Sequence, residues 1–186
     1  MRSLLTVTAL LLALLLPTSL PASHDETLPL NCETFRSRTL SVRLCAWDKP
    51  SWESERVQAV VDAVAKGAGI KWYSHPLHVI VTYTDPVTLS TRILGFFDPA
   101  SKAIFISPDA EPGPPNYRFY YALGHELMHA VYDQWHVSWD KQHCRMYQVD
   151  SELQPVRDLI REWSPDAQFE NPLAVIFACR GDSGGD

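Results

Sequence analysis

The chain has 186 residues, 46% hydrophobic and 20% charged, with 16 basic against 22 acidic side chains. That is enough for one domain with a real core and too little for two. The acidic balance, with basic residues scattered singly, argues against a nucleic-acid partner, which calls for a basic face.

In chain order, Met1-Arg2 precedes an apolar run from Leu4 to Leu16, then Pro17 and small residues to Ala22. This has the form of a secretory signal, because the run fits a signal core of roughly 7–15 residues and falls short of the roughly 20 needed to span a membrane. The expected layout is a signal peptide over 1–22 and a single domain over 23–186, with a flexible tail from about 180. Losing residues 1–22 leaves 15 basic and 22 acidic residues, a charge of −7. No later stretch is long enough for a stable membrane span. All four cysteines, Cys32, Cys45, Cys144 and Cys179, lie in the exported part. Export favours two disulfides, for which Cys32 with Cys45 and Cys144 with Cys179 is the simplest of the three pairings. A four-cysteine zinc site is excluded, since no pair has CxxC spacing.

Thr39 to Trp47 alternates, with Leu40, Val42, Leu44 and Ala46 on one side, which predicts a half-buried strand. Ser51 can cap a helix over Trp52 to Ala68, in which Val57, Val60, Val61, Val64 and Ala65 recur at helical spacing and Gly67 and Gly69 mark the end. Leu77 to Tyr83 reads as a buried strand. Thr91 to Phe97 and Ala103 to Ser107 read as two strands joined by a turn at Asp98-Pro99-Ala100-Ser101-Lys102. After a loop over Pro108 to Pro115, Asn116 is placed to cap a helix from Tyr117 to about Gln134. A further helical pattern runs from about Gln142 to Trp163, with a break expected near Pro155, where Ser151 and Gln154 have capping-box spacing. The order strand, helix, strand, hairpin, helix, helix predicts an α+β fold.

The helix over Tyr117 to Gln134 carries His125-Glu126-Leu127-Met128-His129. One helical turn brings His125 and His129 to the same face, where both imidazoles can reach one metal ion. Glu126 is turned about 100° from His125, off the metal but near its open side, where a carboxylate can take a proton from water. The spacing supplies two ligands and a base. Solvated or packed histidines are the bland alternative.

With this motif on the penultimate long helix, the chain resembles the zincin metallopeptidases over roughly Thr39 to Trp163. The resemblance implies a small mixed sheet with an antiparallel hairpin edge packed on an active-site helix that a second helix follows. It also implies Zn²⁺ as cofactor, a peptide or protein as substrate, and binding of extended peptide along the edge strand before the active-site helix, which the sequence assigns to Ala103 to Ser107.

The third ligand separates the subgroups. The metzincin pattern would need a glycine and a histidine where this chain has Tyr132 and Trp135, and His136 falls one position late. The gluzincins use a glutamate on the next helix, for which Glu152 or Asp150 is near the expected distance, but the aspartate four places after Glu152 is replaced by Val156. The SprT-like group fits best in spacing, with a histidine thirteen to fifteen residues after the second. His143 is fourteen after His129, and Tyr147 follows four residues later, although Cys144 stands where that group has glycine. The expected site is therefore His125, His129 and His143 as metal ligands with Glu126 as catalytic base, and Glu152, Asp150 and His136 as other third ligands. Tyr132, Tyr147 and His136 are candidates for stabilising an oxyanion, and Asp133 and Asp150 for orienting ligand imidazoles.

The expected function is a secreted or periplasmic zinc metallopeptidase. A catalytically silent peptide- or protein-binding module on the same scaffold and a toxin or effector protease with one target are the alternatives. Two tail motifs are decoys. Gly181-Asp182-Ser183-Gly184-Gly185 copies the nucleophile loop of trypsin-like proteases with no room for the rest of the barrel, and Arg180-Gly181-Asp182 is an integrin-type tripeptide of little information.

Overall fold

The computed structural model describes residues 31–37, 40–46, 52–69, 77–81 (backbone pairing), 94–107, 110, 113–114, 117–148 and 150–167. The expected signal peptide, the caps at Ser51 and Asn116, the Cys179 half of the second disulfide and the glycine-rich tail lie outside these residues. The elements are β1 (Asn31–Arg36), β2 (Ser41–Ala46), α1 (Ser54–Ala68), β3 (Leu77–Val81), β4 (Gly95–Asp98), β5 (Ala103–Ile106), α2 (Arg118–Gln134), α3 (Trp139–Tyr147) and α4 (Gln154–Trp163). The class is α+β.

The strands join in the order β1-β2-β3-β5-β4. The two antiparallel pairs, β1 with β2 and β4 with β5, are linked through β3, which runs parallel to both β2 and β5. The period-two reading of β2 holds: Leu40, Val42, Leu44 and Ala46 are all buried. So does the helical stripe of α1, whose Val57, Val60, Val61 and Val64 are fully buried. That helix ends where Gly69 turns to φ 70°, a left-handed value that glycine adopts without a Cβ penalty. Cys32 and Cys45 face each other in the β1–β2 register and are disulfide-bonded, and Cys144 is disulfide-bonded as well.

Three expectations need correction. First, Ala103 to Ser107 is not a sheet edge, because β5 is paired on both sides; among the described residues β4 is the edge on that side of the sheet. A hairpin can fold back on either side of its second strand, and sequence does not say which strand of the pair will find β3. Second, the helical pattern begins at Trp139 rather than about Gln142; the break expected near Pro155 is present, at Gln148–Leu153, and divides the pattern into two helices. Pro155 sits within the first turn of α4, where its missing N–H costs nothing, so it starts that helix rather than breaking a longer one. Third, β1 has no alternating apolar signal, since Phe35 is its single buried residue. Pairing with β2 holds it.

The core lies between the sheet and the helices. α2 packs on β4 and β5 with one face and on α1, α3 and α4 with others, which explains why 13 of its 17 residues are buried. Gly124 allows α4 its closest approach: a Cβ there would stand 2.6 Å from Val156 Cγ1. Val156 is thus a core residue. At the start of α1 the Glu53 N–H donates to the Tyr120 hydroxyl at 2.8 Å, fastening α1 to α2. No helix among the described residues is long and apolar enough to cross a membrane.

Candidate metal centre

His125 and His129 project from α2 and His143 from α3, and the ligand nitrogens of the three lie within 4.8 Å of one another, a group that could hold a metal ion. The Nε2 atoms of His129 and His143 are 3.1 Å apart. Two nitrogens bound at about 2.0–2.1 Å to one tetrahedral ion are separated by about 3.3 Å, so this pair is already near a ligating spacing. The third ring stands close by, with His125 centroids 4.9 Å from His129 and 5.4 Å from His143.

His129 is the best oriented of the three. Its Nδ1 lies 2.6 Å from Gln142 Oε1, and the Gln142 amide is itself fixed because its Nε2 donates to the Val137 carbonyl at 2.9 Å. The amide therefore presents an acceptor to His129, the ring carries its proton on Nδ1, and the Nε2 lone pair is directed into the cluster. The indole of Trp139 lies over the same ring, 4.6 Å away and within 18° of parallel. Tyr147 stacks in the same way on His143, at 6.0 Å and 19°. Trp139, Gln142, His143 and Tyr147 follow at intervals of three, one and four residues, so a single face of α3 provides all four.

Burial lowers the pKa of all three histidines. For His125 the fall is large, deepened by the charges of His129, His143 and Arg157. For His129 burial brings the value to about 4 against the opposing effect of the hydrogen bond it donates to Gln142, and burial alone lowers His143. Neutral imidazoles are the form that ligates a metal. Within the cluster, His125 Nδ1 is buried without a hydrogen-bond partner. An unsatisfied ring nitrogen and a set of neutral imidazoles fit a borderline metal ion such as zinc, copper, nickel or iron.

Glu126 shares this cleft, whose volume is about 390 Å³ and whose lining includes Leu94, Gly95, Tyr121, Trp139 and Tyr147 beside the histidines. Its carboxyl is 6% exposed, and burial pushes its pKa up to about 8, offset in part by the Phe97 N–H that donates to it. Among the described residues Glu126 is the one acid lining the cleft.

The other candidates stand elsewhere. Glu152 accepts hydrogen bonds from the Tyr132 hydroxyl at 2.7 Å and from Arg145 Nε at 2.9 Å, so neither Glu152 nor Tyr132 is directed to the histidines. Asp133 pairs with Lys102 at 2.6 Å, anchoring the β4–β5 turn to the end of α2. Asp150 borders two other surface hollows, and His136 is exposed at φ 58° just beyond α2. Of the orienting and oxyanion candidates, Tyr147 alone lines the cleft, and the imidazole-orienting group is Gln142 rather than an aspartate. An amide at one end of a helix face has no spacing signature of its own. Extending the α3 pattern back to Ser138 would have exposed the shared face of Trp139, Gln142 and His143.

Compared with protein-family models, with characterised proteins and with solved structures, the chain matches none.

Proposed function

We propose that this chain is an exported, zinc-dependent metallopeptidase of the zincin type. The observation that carries the reading is the meeting of three histidines and one buried glutamate in a single cleft beside a sheet edge. Either half alone would be ordinary.

His125, His129 and His143 would hold the ion. Zinc in such a site lowers the pKa of water and polarises a carbonyl oxygen. A cation held by the three histidines would favour the ionised form of Glu126, and this carboxylate, adjacent to the ligands and off their face, would then accept a proton from the attacking water and return it to the departing amine nitrogen. Gln142 keeps His129 in its ligating tautomer, and Trp139 and Tyr147 restrict the two rings they cover. Tyr121 and Tyr147, the tyrosines among the cleft's described lining residues, are the groups that could donate to a developing oxyanion. A peptide in extended form would add to β4, Gly95–Asp98, whose outer side has no neighbouring strand among the described residues. The Cys32–Cys45 disulfide agrees with export through an oxidising compartment, and hence with residues 1–22 as a cleaved signal.

The test is elemental analysis of the oxidised, dialysed protein together with cleavage of a proteome-derived peptide library. Wild type and Glu126→Gln should each retain a single zinc ion per chain, and His129→Ala and His143→Ala should retain none. Hydrolysis should fall by about 10²–10⁴-fold in Glu126→Gln. Undiminished hydrolysis in that variant would remove Glu126 from its role, and a wild-type protein without zinc would end the proposal.

A further inference from the structure

β4 is the edge strand that packs on α2, and its first residue is a glycine with no turn to make. A Cβ built on Gly95 would stand 2.7 Å from Glu126 Cγ, 3.0 Å from Oε1 and 3.2 Å from Cδ. The first of these is closer than real Cβ atoms come to any neighbour. The atom met first is also not the free end of a side chain. Cγ is set by the α2 backbone and the first rotamer, and the carboxyl beyond it is engaged by the Phe97 N–H two residues along the same strand. Glu126 is almost enclosed, so a displaced carboxyl can move only out of this contact and into the cleft.

We propose that Gly95 is a positioning residue for Glu126: the missing side chain at the start of the edge strand is the space in which the Glu126 side chain lies. The strand thereby does two things with residues two apart, opening room at Gly95 and fixing the carboxyl from Phe97. Phe97, fully buried, locks the strand onto α2. The role of Gly95 in hydrolysis rests on the proposed function; the steric coupling does not.

The experiment is a double-mutant cycle, Gly95→Ala crossed with Glu126→Ala, read first by thermal unfolding of the metal-free protein. Gly95→Ala should lower the melting temperature by about 5 °C in the wild-type background and far less in the Glu126→Ala background, where Cγ, Cδ and the oxygens are gone. Equal losses in both backgrounds would overturn the proposal whatever the protein's activity. The second readout is zinc content and kinetics of Gly95→Ala. Zinc should stay bound and KM should be nearly unchanged, with kcat reduced on the order of a hundredfold, as for a reacting group moved by about 1 Å. Steric coupling without a change in kcat would reduce Gly95 to a packing residue. Coupling in a protein that hydrolyses no peptide would leave the contact established and refute the peptidase reading instead.

Discussion

α3 and α4 follow one another in the chain and have 9 and 10 residues, yet different forces hold them. α4 packs on α1 and α2 through Val156 and Ile160, both fully buried, with Leu153 buried just before it. α3 packs on α2, is tied to α4 where Arg157 Nη2 donates to the Met146 carbonyl at 2.7 Å, and buries Gln142 and Met146. Trp139, half exposed, and His143 lie against His129 of α2, and Tyr147 stacks on His143. One helix is fixed by apolar burial, the other largely by the site it builds. The difference teaches that α3 should depend on a bound metal, and α4 should not.

The largest effect that would break this contrast is expected at His143. Zinc should stabilise the wild type by about 2.7 kcal/mol at a hundred times its dissociation constant, and His143→Ala should abolish that gain. Amide exchange followed with and without zinc should slow in α3 and stay constant in α4; equal slowing in both helices would erase the distinction. Ile160→Ala makes the converse test. It should cost about 2–5 kcal/mol in denaturant unfolding, as deletion of a buried branched side chain does, while zinc stoichiometry is preserved.

Gln142→Leu sharpens the comparison within α3. Removing the acceptor for His129 Nδ1 should weaken zinc binding about 10–100-fold by competition with a chromogenic chelator, with little change in unfolding of the metal-free protein. The smallest effect concerns the connection between the helices. Burial raises the Glu152 pKa, but the hydrogen bonds from Arg145 and Tyr132 outweigh it and the net shift is downward. A carboxylate depressed in the folded state stabilises the protein above its unfolded pKa, and this contribution is lost as pH falls through the folded value. Melting temperature measured downward from pH 7 should therefore decline more steeply below about pH 4.5 in wild type than in Glu152→Gln.

The parts legible in the sequence were those with a period. Alternation marked β2, the helical stripe marked α1, and the four-residue spacing of His125 and His129 marked a shared face on α2. His143 was reached through a resemblance in spacing, and the fold brings it to the same cluster. What stayed hidden depends on which elements meet. Whether β4 or β5 lies at the edge is decided by pairing with β3, and Gln142 gains its meaning only when α3 crosses α2. Glu152 has the right chemistry and an acceptable sequence distance for a ligand, but Arg145 and Tyr132 engage it first. Val156, where a related site would have an acid, is explained by the space beside Gly124.

The bridge between Cys32 and Cys45 bears on how the protein can be made. Of the six residues of β1 only Phe35 is buried, so without the bridge this strand is held by its pairing with β2 and by the side chains of Ser54 and Gln58 on α1, with little apolar burial of its own. A disulfide closing a loop of this size contributes about 3 kcal/mol. In a reducing cytosol β1 would peel away first and uncover the pairing edge of β2, whose Val42, Leu44 and Ala46 carry the core. An uncovered apolar edge recruits other chains. Insolubility after cytosolic expression would then reflect the compartment rather than the sequence's capacity to fold, and oxidative refolding should recover the protein.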